Sequence, residues 1–126
     1  MPRDPQALLP LKPLVFHLLV ALLDGERHGW ALLRAVEDQP GAERLMPGQL
    51  YRQLAAMLDE GLIDERDTPG GGQATAERVG RTGGAAPRRF FRLTPFGRAV
   101  TRAEARRLEG LVADTRVRRL LSRRRS

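Results

Sequence analysis

Apolar residues recur at helical spacing in three segments of the first half of the chain. Residues 12–23 are apolar on almost every side, which predicts a helix that is buried over most of its surface. Residues 28–38 predict a second helix, in which Trp30 is expected to anchor the core. Residues 47–59 predict a third helix, because Pro47 suits a first helical position.

The third predicted helix has an outer face of unusual chemistry. Its apolar side chains share the inner side: Leu50, Leu54, Met57 and Leu58. Its outer side is mostly small or amide-bearing: Gln49, Arg52, Gln53, Ala56 and Asp59. A surface helix usually carries more long charged side chains on its polar face. A face with few of them lets the helix backbone come close to a partner.

The second half of the chain begins with a predicted β-hairpin. The segment "LIDERDT" at 62–68 alternates apolar and polar residues as a short strand, and "RRFFRL" at 88–93 is expected to return beside it. The connecting residues 69–87 hold six glycines and no apolar periodicity, which predicts a flexible wing loop. Loops of this length are usually functional or disordered.

Residues 95–121 predict one long helix, with Thr94 as its N-terminal cap. It should measure about 40 Å at 1.5 Å per residue, whereas a domain of this size is about 30 Å across. Its apolar residues lie on two sides: Val100, Leu108, Leu111, Val112, Val117, Leu120 and Leu121. We therefore predict a homodimer with this helix at the interface. The alternative is a helix that packs back onto its own core.

These elements divide the chain into four predicted parts. Residues 1–10 form a proline-rich N-terminal arm, and residues 11–94 form a domain of three helices and a hairpin. Residues 95–121 form the dimerisation helix, and residues 122–126 form a basic tail. Three helices followed by a two-stranded hairpin is the order of a winged helix-turn-helix fold. The predicted fold class is mainly α, with a small β-hairpin wing and a long C-terminal helix.

Composition excludes several classes of chemistry. The 126 residues include no cysteine and only two histidines, so neither a thiol nucleophile nor a metal site is expected. The glycine run at 70–72 lacks the lysine of a phosphate-binding loop, and no nucleophile and base stand at a motif spacing. Neither an enzyme nor a cofactor is predicted. The apolar run 14–23 is too short to span a bilayer and no secretory signal is evident, so a cytoplasmic location is expected.

The net charge of +7 is confined to the end of the chain. Residues 1–97 hold 12 basic and 12 acidic side chains, whereas residues 98–126 hold 10 arginines against three carboxylates. Such an excess attracts polyanions, either nucleic acid or an acidic membrane surface. A membrane-surface helix would need Trp or Phe among its arginines, and residues 98–126 have neither. The basic tail could add phosphate attraction, extend the helix, or form a solvated end.

Three segments carry a recognisable set of motifs. "LLVALLDGERHGWALLRAVE" contains Gly-x-x-His-Gly-aromatic, and "LMPGQLYRQLAAMLDEGLID" contains Pro-Gly-x-Leu-Tyr-x-x-Leu. "RRFFRLTPFGRAV" contains an aromatic pair followed by Leu-Thr-x-x-Gly. In these motifs the chain resembles the PadR-like transcriptional regulators over most of residues 11–100. The three motifs in this order are more specific than any one of them alone.

The sequence departs from the family pattern at several positions of these motifs. The family usually has Ser before the Pro-Gly and Thr or Ser after it, where this chain has Met46 and Gln49. The wing pair is usually Tyr-Tyr, and Phe90 and Phe91 lack those hydroxyl groups. The departures leave the expected fold unchanged, and the details of the contact to DNA are expected to differ from the family pattern.

The resemblance implies a DNA-binding transcriptional regulator, a repressor that binds an inverted-repeat operator as a homodimer. Residues 47–59 would enter the major groove, where Gln pairs with an adenine edge, Arg with guanine, and Ala with a thymine methyl group. The wing would lie on the backbone or in a minor groove. The implied DNA contacts are Gln49, Tyr51, Arg52, Gln53, Arg78, Arg81, Arg88, Arg89 and Arg92.

Several alternatives remain open at this level. Tyr51 could reach a phosphate or be half-buried, and Arg78 and Arg81 could belong to a solvated linker. Some family members sense aromatic acids or lipophilic drugs near the dimer interface, but residues 98–126 contain no aromatic side chain to stack such an effector. The alternative function is a winged-helix protein-interaction module without specific DNA binding. The low charge of the outer face of the third helix leaves this alternative open, as do four acidic residues beside it: Asp59, Glu60, Asp64 and Glu65.

Overall fold

The structure is a computed structural model that describes residues 3–41, 44–66 and 89–122. Across these ranges the chain is mainly helical with one small sheet. The helices are α1 (Pro13–Ala21), α2 (Gly29–Glu37), α3 (Pro47–Asp59), α4 (Pro95–Ala113) and α5 (Thr115–Ser122), with a 3-10 helix at Pro5–Leu8. The strands are β1 (Arg27–His28), β2 (Ile63–Arg66) and β3 (Phe90–Leu93). The predicted wing loop 69–87 lies outside the described residues.

The sheet has three antiparallel strands in the order β1-β3-β2. The predicted hairpin is present, with Ile63 opposite Leu93 and Arg66 opposite Phe90. β1 was not predicted from the sequence. It pairs Arg27 with Phe91 along the other edge of β3. Two residues are too few to show an alternating pattern, so only the pairing itself defines this strand.

One hydrophobic core joins α1, α2, α3, the sheet and α4. Its most deeply buried side chains include Leu18, Leu32, Leu54, Phe91 and Val100. Trp30 was expected in this core and is instead 65% exposed. The buried stripe of α2 follows positions 29, 32, 33 and 36, which repeat at helical spacing. Trp30 is about 100° around the helix from the first of these, so it points off the stripe.

The N-terminal arm packs where α3 and α4 meet. Asp4 caps the 3-10 helix, because its Oδ1 accepts the Gln6 N–H at 2.9 Å. The Arg3 guanidinium lies 4.2 Å above the Phe96 ring and donates to the Glu60 carbonyl. The arm therefore holds the C-terminal end of α3 against the first turn of α4.

The prediction of a single helix over 95–121 is wrong, because the helix is interrupted at Asp114. This residue leaves the helical region at φ −55° and ψ 131°. Its Oδ1 accepts the Arg116 N–H at 2.7 Å, and this arrangement starts α5. The hydrogen bond from the Arg116 side chain also lowers the pKa of Asp114. A short acidic side chain competes for backbone N–H groups, which favours a helix start over a helix interior.

The break changes the argument for a dimer. α4 has 19 residues, about 28 Å at 1.5 Å per residue, so its length alone does not make it protrude from the domain. Val100 was predicted at the interface and is fully buried in the core of its own subunit. Leu108 and Val117 are half-buried. The exposed members of the predicted set are Leu111, Val112, Leu120 and Leu121.

Candidate nucleic-acid interface

The outer face of α3 is exposed as its apolar pattern predicts. Leu50, Leu54 and Met57 have at most 1% of their surface exposed, because they pack into the core. Gln49 and Arg52 are exposed, and Gln53 is half-buried at the edge of the same face. Small side chains lie between them, at the exposed residues Ala55 and Ala56. The face is therefore a shallow surface with amide and guanidinium groups.

The side chain of Gln49 stabilises the first turn of α3. From the sequence, this residue was predicted only to contact DNA. Met46 precedes the helix and makes no capping hydrogen bond with its side chain. The Met46 N–H instead donates to Gln49 Oε1 at 2.9 Å, and the Gln49 N–H donates to the Met46 carbonyl at 2.9 Å. Gln49 thus provides the returning half of a capping box.

Arg52 lies over the same turn. A Cβ atom built on Gly48 would be 3.5 Å from Arg52 Nη1, so the guanidinium covers the open space at this glycine. The head of Arg52 therefore lies next to the turn that contains Gln49. In helix-turn-helix proteins the N-terminal residues of the recognition helix contact the base edges.

Tyr51 packs α3 against α2. Gly29, the first residue of α2, has no side chain, and a Cβ atom there would overlap the Tyr51 hydroxyl group. Tyr51 nevertheless keeps 43% of its surface exposed. The side chain is exposed, and its hydroxyl group lies at the seam between α2 and α3. The exposed Trp30 follows Gly29 in the chain. The sequence predicted Trp30 in the core, because the side of α2 that is buried was not known from the sequence.

Each described arginine of the wing faces a carboxylate. Arg89 Nε lies 3.2 Å from Glu65 Oε2, and Arg92 Nε lies 3.8 Å from Asp64 Oδ2. On the outer end of β2, Arg66 Nη2 lies 2.6 Å from an oxygen of Glu26. These pairs are partly exposed and contribute little to stability. A DNA phosphate would have to replace the carboxylates. Arg78, Arg81 and Arg88 lie outside the described residues.

A tight junction fixes the wing to α4. Thr94 caps α4 as predicted, with Oγ1 accepting the Gly97 N–H at 2.8 Å and donating to the Gly61 carbonyl at 2.6 Å. Gly97 lies directly against the Leu62 carbonyl group. The end of α3, the start of β2 and the first turn of α4 therefore form one rigid corner.

The described residues include an open groove but no cluster of metal ligands. In ranges 3–41, 44–66 and 89–122, no three His, Asp or Glu side chains are grouped to hold an ion. An open groove of about 540 Å³ lies where α4 meets α5, lined in part by Val112, Arg118 and Leu121. Over the same ranges, none of the helices is long and apolar enough to cross a membrane.

The three helices and the small antiparallel sheet define a winged helix protein. The sequence comparison identifies the family: the profile of the transcriptional regulator PadR-like family matches residues 18–103. The chain belongs to that family of transcriptional regulators, which are not enzymes.

The chain is also similar to a transposon protein and to two solved structures. An uncharacterised 37.1 kDa protein in transposon TN4556 of Streptomyces fradiae is 36% identical in a match of 103 residues that covers 79% of this chain. The match spans only 25% of that protein. The complex structure of hsRosR-S4 has a TM-score of 0.63 at 23% identity and covers 94% of this chain and 90% of its own. Bacillus subtilis PadR in complex with operator DNA has a TM-score of 0.55 at 22% identity and covers 75% of this chain and 46% of its own.

Proposed function

We propose that this protein is a repressor that binds an inverted-repeat operator as a homodimer, with α3 in the major groove. The observation that carries the proposal is the outward face of α3, where Arg52 and two glutamines stand among exposed alanines. Such a face approaches base edges closely because few long charged side chains separate it from the groove. The Bacillus subtilis PadR structure, which contains operator DNA, supports the same use of the fold.

Arg52 is proposed to read guanine. Its guanidinium offers two parallel N–H donors, which match the O6 and N7 acceptors of a guanine edge. Gln53 lies one residue further on and is proposed to contact the neighbouring base pair. Tyr51 is proposed to donate its hydroxyl to a phosphate, since it stays 43% exposed at the α2–α3 seam. Phosphate contacts set the position of the protein and base contacts set its sequence preference.

The homodimer is proposed to form through the exposed apolar side chains of α4 and α5. Leu111, Val112, Leu120 and Leu121 are each more than half exposed. A twofold dimer would place two copies of α3 about 34 Å apart, one turn of DNA, and would require an operator with two inverted half-sites.

Selection of bound fragments from random DNA tests the proposal. We expect enrichment of a repeated half-site in inverted orientation. Arg52→Ala should cost about 1 to 3 kcal/mol and relax the preference at one base pair per half-site. Arg106→Ala removes an exposed arginine of α4 instead and serves as the control. We expect it to keep the base preference of the parent.

A repressor also predicts an effect on transcription. In a reporter assay, the full-length protein should lower expression from a promoter that carries the selected site, and Arg52→Ala should restore it. Selection without any enriched sequence would exclude the DNA-reading function. That outcome would favour a protein-interaction module, which the paired charges Arg89–Glu65 and Arg92–Asp64 on the wing also allow.

A further inference from the structure

We propose that Gln49 reads DNA through its amino group alone and therefore selects guanine at its base pair. This inference rests on the proposed function, because it requires α3 to lie in the major groove. It changes the role expected from the sequence, in which Gln49 pairs with both polar atoms of an adenine edge.

The direction of the Gln49 amide follows from its internal partner. The Met46 N–H is a donor only, so the atom that faces it at 2.9 Å must be the carbonyl oxygen Oε1. The oxygen is thus turned toward the backbone of its own helix, and Nε2 is the end of the amide left for DNA. Two-point reading of adenine needs both ends of the amide at one base edge. The capping bond and the adenine contact therefore compete for the same oxygen.

A lone amino group has a clear order of preference in the major groove. Guanine presents two adjacent acceptors, N7 and O6, and thymine presents one, O4. Adenine presents the acceptor N7 beside an amino donor, and cytosine presents an amino donor alone, which repels a second donor. Guanine is therefore the best partner of Gln49 Nε2, and cytosine is the worst.

The surroundings of Gln49 reinforce this preference. Arg52 Nη1 lies over Gly48 on the same turn, and a guanidinium is also a pure donor. The first turn of α3 contains no acidic side chain that could accept a hydrogen bond from a base. The turn therefore presents donors side by side, and we infer that each half-site carries two acceptor-rich bases where it meets this turn.

Met46→Pro is the sharpest test, because it removes the competing N–H and leaves Gln49 in place. Met46 has φ −79° and ψ 144°, which proline adopts without strain, and its N–H has Gln49 as its hydrogen-bond partner. In this variant Oε1 is free, so Gln49 can turn both ends of its amide to one base. We expect the preferred base at that position to change from guanine to adenine, with a change in relative affinity of about tenfold.

Gln49→Glu is the complementary variant. Glutamate keeps the bond to the Met46 N–H, as in an ordinary capping box, but has no donor to offer. We expect it to lose the preference for guanine and to accept cytosine, whose amino group is a donor. Thermal melting by circular dichroism should show both variants folded.

Random-fragment selection with the parent and both variants decides the matter. Guanine at the position affected by both substitutions, together with a shift to adenine in Met46→Pro, would support the inference. Adenine as the parent's preferred base there, or identical preferences in parent and Met46→Pro, would overturn it and leave the regulator function intact. If the parent enriches no half-site, the proposed function fails, and base reading by Gln49 fails with it.

Discussion

At the scale of single residues, Glu104 is the most deeply buried charged side chain among the described residues, with 2% of its surface exposed. Its carboxylate accepts two hydrogen bonds from Arg107, at 2.6 and 3.0 Å, and one from the Leu11 N–H at 3.1 Å. The Arg107 hydrogen bonds lower the pKa of Glu104, against burial, which raises it, and the Leu11 N–H lowers it further. Glu104 thus fastens the start of the domain to α4.

Removing this carboxylate should destabilise the fold at neutral pH. Glu104→Ala leaves the Leu11 N–H without its partner, which should cost about 1 to 3 kcal/mol in the free energy of unfolding. Glu109→Ala, at an exposed position of the same helix, is the matched control and should have little effect. Urea unfolding of both variants measures the difference. Equal losses would mean that the bond to Leu11 contributes nothing.

The same residue predicts a loss of stability in acid. Because the folded pKa of Glu104 is lowered below its ordinary value of 4.5, folding favours the ionised carboxylate. Its contribution is fully present above that value and is lost as the pH falls through the folded pKa. We expect the stability gap between the parent and Glu104→Ala to narrow below pH 4.5, as measured by urea unfolding across pH. A gap that stays constant into strong acid would contradict the assignment.

At the scale of elements, the corner between the wing and α4 depends on Gly97. A Cβ atom there would overlap the Leu62 carbonyl oxygen and lie 2.8 Å from its carbon. Because backbone atoms cannot move aside as a side chain can, Gly97→Ala should lower the free energy of unfolding by about 1 to 3 kcal/mol or more. Gly110→Ala is the control, since a Cβ there meets nothing within 4 Å. It should instead stabilise α4 by about 0.5 to 1 kcal/mol. Thermal melting should move the two midpoints in opposite directions.

The wing carries a second prediction at this scale. Glu65 Oε2 forms an ion pair with Arg89 Nε at 3.2 Å. Glu65→Gln should therefore leave the guanidinium available to bind a phosphate. We expect tighter binding to random duplex DNA, and a plot of log K against log salt that is steeper by about 0.9 for one added phosphate contact. Glu109→Gln is the control, because it changes the net charge by the same amount at an exposed position of α4. If both variants tightened binding to the same extent, overall charge would be the cause, and Arg89 would have no special part.

How far the sequence determines these elements depends on the length of their patterns. α3 was predicted at 47–59 and is found at Pro47–Asp59, because its apolar period repeats over several turns. The break at Asp114 was missed, since apolar residues continue on both sides and a local side-chain bond decides it. The outward face of α3 was also predictable, because the same apolar period shows which side of the helix is buried. The bond from Met46 to Gln49 was not, because it depends on the rotamer of one side chain.

At the scale of the whole molecule, the exposed leucines of α5 offer the clearest test of assembly. Leu120 and Leu121 are 70% and 53% exposed on a helix whose other side carries arginines. Burying a leucine fully contributes about 1.5 to 3 kcal/mol, so covering these two side chains in the proposed dimer would be favourable. Leu120→Glu places a charge in the proposed interface and should halve the molar mass measured by light scattering at micromolar concentration.

The matched control is Leu23→Glu, which changes another exposed leucine, at 40%, just after the end of α1 and outside α5. It should keep the mass of the parent. Leu120→Glu should also lose affinity for an operator with two half-sites, while its binding to a single half-site stays unchanged, because each α3 still reads its own bases. A parent that is already monomeric under these conditions would refute the dimer, and it would leave the Gln49 and Arg52 contacts to be tested on single half-sites.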